Sequence, residues 1–128
     1  MSLNVRSIGN KINEIANFLH NPYGEKLIDC LAIQEIWNVP AGVEFSIDGF
    51  HPLIYKTRDS KGLSSNVGGG VGFLVNKKCE FELLDKLSIF ISRVFESMFI
   101  KIYLNKKDFI IIGNVYRPNT GPLASVEF

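Results

Sequence analysis

The sequence predicts an α/β fold with a mixed, mostly antiparallel sheet and a helix on its outer face. Near the start of the chain, an apolar stripe at helical spacing lies between two short extended runs. Between residues 71 and 116, apolar runs alternate with polar turns, as in antiparallel strands. Hydrophobic residues make up 46% of the 128 positions, enough for one core. We therefore expect one domain.

The opening elements are predicted as a strand over 3–7, a helix and a strand over 31–37. Asn10 is a suitable N-cap for the helix, because its side chain accepts from free backbone N–H groups. The apolar stripe of this helix consists of Ile12, Ile15, Phe18 and Leu19. If the two strands are parallel, the helix forms a right-handed crossover between them.

The rest of the chain is predicted to be mainly β-structure. A hairpin is expected over 45–56, with its turn at Asp48-Gly49. Further strands are expected at 71–75, 81–84, 95–104 and 109–116. The run 109–112 is uninterrupted and apolar, which is typical of a central strand covered on both faces. Residues 123–128 resemble the first turn of a helix.

Composition sets limits on the function. The formal charge is +1, so any contact with nucleic acid must come from local basic groups. No apolar run approaches the roughly 20 residues of a membrane span, and charged residues in the first twenty positions argue against a secretory signal. Cys30 and Cys79 have no metal-like spacing and are expected to be free thiols. An intracellular protein is expected.

Several familiar motifs can be set aside. A dinucleotide-binding loop needs a third glycine where Phe73 stands, and the run Gly68-Gly69-Gly70 enters a strand instead of a helix. His20 and His51 are expected to be structural or solvated, and no Ser or Cys nucleophile has a matched base by spacing.

The candidate site that remains is a set of polar groups at predicted strand ends: Asn4, Gln34-Glu35 and Tyr116 with Asn119. Asn4, Glu35 and Tyr116 are expected to converge on one sheet edge, with Asn119 following closely. Carboxylate and amide oxygens suit Mg²⁺, and a tyrosine hydroxyl can donate to a phosphate oxygen. This arrangement predicts a metal-assisted phosphodiester site. A single Glu at a strand end is also compatible with an exposed residue that has no function.

Four short motifs, in this order, resemble the endonuclease/exonuclease/phosphatase superfamily. They look most like the apurinic-type endonuclease domain at the N-terminus of non-LTR (LINE-like) retrotransposon polyproteins. The motifs are Ser2-Leu3-Asn4-Val5-Arg6-Ser7-Ile8, Ile33-Gln34-Glu35, Gly69-Gly70-Val71-Gly72-Phe73 and Asn114-Val115-Tyr116-Arg117-Pro118-Asn119.

The resemblance implies a DNase I-like fold, a two-sheet α/β sandwich of which residues 1–128 would be the first half. It implies that Glu35 is the Mg²⁺ carboxylate, with Mn²⁺ as a possible substitute, and that Asn4 orients metal or water. Tyr116, Arg117 and Asn119 would contact the scissile phosphate or DNA. The parent activity would be nicking of target DNA to prime reverse transcription, which requires access to the nucleus.

The sequence also departs from the family pattern. Arg6 stands where repair enzymes of the superfamily carry an acidic residue. The Gly-Asp-x-Asn and Ser-Asp-His motifs are absent, so a domain truncated at its C-terminal end is expected, inactive by itself. Its partners would be DNA and the missing C-terminal half, with no membrane. An apolar sheet face left uncovered is expected to cause self-association.

Other functions remain open. Within the superfamily, a repair nuclease or a phosphatase would use the same sheet edge. Outside it, the chain could be a non-catalytic remnant or an interaction module that binds a partner through its exposed sheet face.

Overall fold

The computed structural model describes residues 1–20, 28–37, 39, 43–58, 68–91 and 94–118. A short 3-10 helix, Ile8–Asn10, precedes the helix α1. The elements in chain order are β1 Ser2–Asn4, α1 Ile12–Leu19, β2 Cys30–Gln34, β3 Ile54–Lys56, β4 Val71–Val75, β5 Glu80–Leu83, β6 Phe90–Ile91, β7 Phe95–Tyr103 and β8 Phe109–Tyr116.

The strands form two sheets. The first has the order β1-β2-β4-β3, in which β1 and β2 are parallel and the other pairs antiparallel. In the second sheet, the long strand β7 pairs with β5 and β6. It also pairs with β8 over residues Glu96 to Tyr103. The predicted α/β class with mostly antiparallel strands is confirmed.

The two sheets and α1 build two hydrophobic cores. Ile15 and Leu19 of α1 pack with Leu31, Ile33 and other buried residues on the outer face of the first sheet. The second core lies between the sheets, and its buried members are Ala32, Val71, Phe73, Val75, Met98, Ile100 and Ile102. The layers are therefore helix, first sheet, second sheet, which confirms a helix on the outer face.

Several predicted boundaries are confirmed and others are corrected. The bounds predicted for β4 and β8 match, as does the turn at Asp48-Gly49. The predicted strand 3–7 ends at Asn4, and the predicted strand 31–37 ends at Gln34, because positive φ angles follow in both places. Within the predicted hairpin, only Ile54–Lys56 is a strand, and it pairs with β4.

The helix differs from its prediction in two details. Its N-cap is Lys11 and not Asn10. Phe18 is exposed, so the buried stripe is formed by Ile15 and Leu19. The residues predicted as a helical turn, 123–128, lie outside the described residues.

The prediction of β8 as a central strand is wrong. Among the described strands it pairs only with β7, and Phe109, Ile110, Ile111 and Val115 are exposed. The expectation that the inner face of the first sheet is uncovered is also wrong, because the second sheet covers this face. On the second sheet and next to it, exposed apolar residues are found on the edge strand β8 and, across β7 from that strand, within residues 87–91.

Candidate functional site

The ends of β1 and β2 lie at the same edge of the first sheet because these strands are parallel. Asn4 is the register partner of Gln34, and Glu35 follows Gln34 directly. Asn4 is exposed, and its side chain makes no hydrogen bond within the described residues. The structure thus brings Asn4 and Glu35 to one edge and leaves the Asn4 amide to solvent.

Tyr116, at the end of β8, reaches this edge from the second sheet. Its hydroxyl donates to Glu35 Oε1 over 2.6 Å, and 81 positions separate the two residues in the chain. Burial, the hydrogen bond to Glu35 and the negative charge of that carboxylate raise the pKa of Tyr116 to about 12. Tyr116 is therefore a neutral donor at physiological pH, and Glu35 is its acceptor.

The backbone around Glu35 adopts conformations that L-residues rarely take. Glu35 has φ +58° and Trp37 has φ +67°, while Arg6 and Ser7 on the neighbouring strand end have φ +46° and +91°. The Ser7 N–H donates to the Glu35 carbonyl over 2.8 Å, which holds the two strained segments together. Strained non-glycine residues concentrate at functional sites. The turn out of β2, and not strand alternation, sets the direction of the Glu35 side chain.

A buried amide network joins the two sheets beneath the site. The Asn114 side chain donates from Nδ2 to the carbonyls of Ile33 and Gly72, each over 2.9 Å. Its Oδ1 accepts from Gln34 Nε2 over 3.0 Å. Since Asn114 lies two residues before Tyr116, both side chains point to the same face of β8. The network therefore fixes β8 against β2 next to Glu35.

A buried ion pair lies on the other side of Tyr116. Arg58 Nε is 2.9 Å from Glu96 Oε1, and their side chains are 8% and 0% exposed. The backbone N–H of Gly70 also donates to Glu96 Oε1, over 3.2 Å. Glu96 is the register partner of Tyr116 across β7 and β8. Two carboxylates, Glu35 and Glu96, thus flank the Tyr116 side chain.

The sequence predicts Gln34 only as a strand-end polar group next to Glu35, without a role of its own, and it does not single out Asn114, Arg58 or Glu96 as site residues. A signal existed for Asn114, which is a polar residue in an otherwise apolar strand and shares the face of Tyr116. Glu96 gave no comparable signal, because a Glu in a strand usually faces solvent.

The donor chemistry fits a weakly coordinated Mg²⁺. Such ions keep several waters and bind through one or two carboxylates plus substrate phosphate. Glu35 and the solvated Asn4 could supply two oxygens. Within the described residues, no group of three or more His, Cys, Asp or Glu side chains is arranged to hold a metal.

The two remaining predicted residues follow β8. Arg117 comes directly after Tyr116 and is half-buried, so it lies near the site, while its role on DNA stays a prediction. Asn119 lies outside the described residues.

No protein-family model and no curated protein matches this chain. In the described ranges, no helix has both the length and the apolar content needed to cross a membrane.

Proposed function

We propose that this chain supplies the metal-binding edge of a Mg²⁺-dependent DNA endonuclease with a DNase I-like domain. The observation that carries the proposal is the 2.6 Å contact between Tyr116 and Glu35. The strand-end pattern and the family resemblance both predict this convergence. In the proposed parent protein, a retroelement, the reaction would be target-site nicking for reverse transcription.

Each residue has a distinct proposed role. Glu35 and Asn4 would hold Mg²⁺, which when bound would polarise the phosphate and stabilise the leaving oxygen. Tyr116 orients the Glu35 carboxylate through one of its oxygens and leaves the other oxygen for a ligand. As a neutral hydroxyl, Tyr116 could also share its hydrogen bond with a phosphate oxygen. Arg117 and Asn119 are proposed to contact the DNA backbone.

Residues 1–128 are proposed to be the first half of the domain. The motifs that align the attacking water and bind the phosphate in the family, Gly-Asp-x-Asn and Ser-Asp-His, do not occur in the sequence. Each such group contributes on the order of 10²–10³ to the rate in comparable sites. The chain alone is therefore expected to be inactive, and its activity to require residues from elsewhere.

A plasmid-nicking assay on the complete open reading frame that contains this chain tests the proposal. We expect Mg²⁺-dependent relaxation of supercoiled DNA that is lost in Glu35→Gln, since glutamine has the same shape without the charge. Glu44→Gln is the matched control, because Glu44 is exposed and its described bond is to Ser46. Nicking by Glu35→Gln at the wild-type rate would contradict the proposal.

One observation favours a second function, a non-catalytic interaction module. Ile89, Ile91, Phe109, Ile111 and Val115 are all about half exposed on the second sheet or beside it, and exposed apolar patches often bind partners. A stable complex that persists in the presence of chelator and in Glu35→Gln would support this alternative.

A further inference from the structure

Burying the Arg58–Glu96 ion pair carries a large desolvation free energy for a small domain. Removing two charges from water costs several kcal/mol per ion, and a buried pair often adds no net stability compared with apolar residues. Glu96 is completely buried, yet its second oxygen, Oε2, has no hydrogen-bond partner among the described residues. Stability alone is therefore a poor explanation for this pair.

The position of the pair connects the segments that carry Glu35 and Tyr116. Glu96 lies opposite Tyr116 in the β7–β8 register. Through Oε1, it binds both Arg58, which follows β3, and the backbone of Gly70, which precedes β4. The adjoining Gly69 carbonyl accepts from the backbone N–H of Trp37, two residues after Glu35, over 2.9 Å. A continuous set of bonds thus runs from the Tyr116 register partner to the turn that carries Glu35.

Gly69 shows how closely the backbone encloses the pair. A Cβ atom at Gly69 would overlap Arg58 Nε and Glu96 Oε1, and the residue has φ +69°. Only glycine satisfies both conditions without strain. Glycine at position 69 therefore leaves the space that the Arg58–Glu96 ion pair occupies.

We propose that the Arg58–Glu96 ion pair is a positioning element that sets the second sheet against the β2 turn, so that the Tyr116 hydroxyl meets Glu35. Arg58 also neutralises Glu96, which would otherwise repel the nearby Glu35 carboxylate. The benefit for catalysis rests on the proposed function, whereas the positioning itself concerns the protein without metal or DNA.

The test is a double-mutant cycle on the metal-free chain, in which the free energies of unfolding of wild type, Tyr116→Phe, Glu35→Ala and the combined variant give the coupling between Tyr116 and Glu35. The cycle is repeated with Arg58→Met and Glu96→Leu present together, a background that leaves no unpaired buried charge. Lys78→Gln is the control background, because it breaks an exposed ion pair with Asp29, in which both side chains are more than half exposed.

If the pair positions Tyr116, the coupling between Tyr116 and Glu35 is present in wild type and in Lys78→Gln and is lost in the Arg58→Met, Glu96→Leu background. Coupling of the same size in all three backgrounds would overturn the inference.

A cooperative urea transition and far-UV circular dichroism show whether the Arg58→Met, Glu96→Leu background is folded. If it is not, Glu96→Gln alone provides the background, and the same loss of coupling between Tyr116 and Glu35 is expected. Unchanged coupling in a folded background would contradict positioning. Since neither metal nor DNA is present, this result is independent of the nicking assay that tests the proposed function.

Discussion

Replacing Gly69 with alanine should destabilise the protein strongly. The left-handed backbone at φ +69° costs a non-glycine residue about 1–2 kcal/mol. The new Cβ would also displace the Arg58–Glu96 contact, and a hydrogen bond to a charged group contributes about 1.5–3 kcal/mol. We therefore expect a loss of roughly 3 kcal/mol from a typical total near 5–15 kcal/mol.

Urea unfolding followed by fluorescence of Trp37, the single tryptophan, measures this loss. Gly9→Ala is the matched control, because a Cβ at Gly9 would meet nothing within 4 Å, and its effect should stay within about 0.5 kcal/mol. Equal stability of Gly69→Ala and Gly9→Ala would show that the backbone at Gly69 does not enclose the Arg58–Glu96 ion pair.

Three further predictions use other measurements. Since the folded state favours the neutral Tyr116 phenol, with its pKa raised from 10 to about 12, its stabilising effect is complete below pH 10 and is lost as the pH rises toward 12. Tyr116→Phe should remove that pH dependence from the free energy of unfolding. Burial raises the pKa of Cys30 to about 11, so its alkylation at pH 8 should be slower in the folded than in the urea-unfolded protein. Ile111→Lys, at a residue 51% exposed on the edge strand β8, should reduce self-association in sedimentation velocity, and an unchanged sedimentation profile would locate any association elsewhere.

The features predicted correctly from the sequence have local causes. Polar turns on both sides define β8, and the apolar run that ends in Gln34-Glu35 places Glu35 at a strand end. The convergence of Glu35 with Tyr116 follows from the general rule that functional groups gather at strand ends.

The features that were missed depend on long-range packing. An apolar run such as 109–112 has the same pattern in a central strand and in an edge strand, so the pairing partners decide its exposure. Ile47, Phe50 and Leu53 looked like hairpin residues, but they fill the core beside α1 without forming a ladder. Glu96 could not be identified, because its partner Arg58 lies 38 positions away and follows a different strand.

We propose that Glu35 binds a divalent cation at the end of β2. Mn²⁺ can stand in for Mg²⁺ at oxygen sites and quenches nearby fluorophores, and Trp37 lies two residues from Glu35. We would titrate Mn²⁺ into the chain, follow Trp37 fluorescence and compete with Mg²⁺. Saturable quenching that Mg²⁺ reverses, and that Glu35→Gln abolishes while Glu44→Gln keeps, is the predicted result. Equal quenching of wild type and Glu35→Gln would contradict the claim.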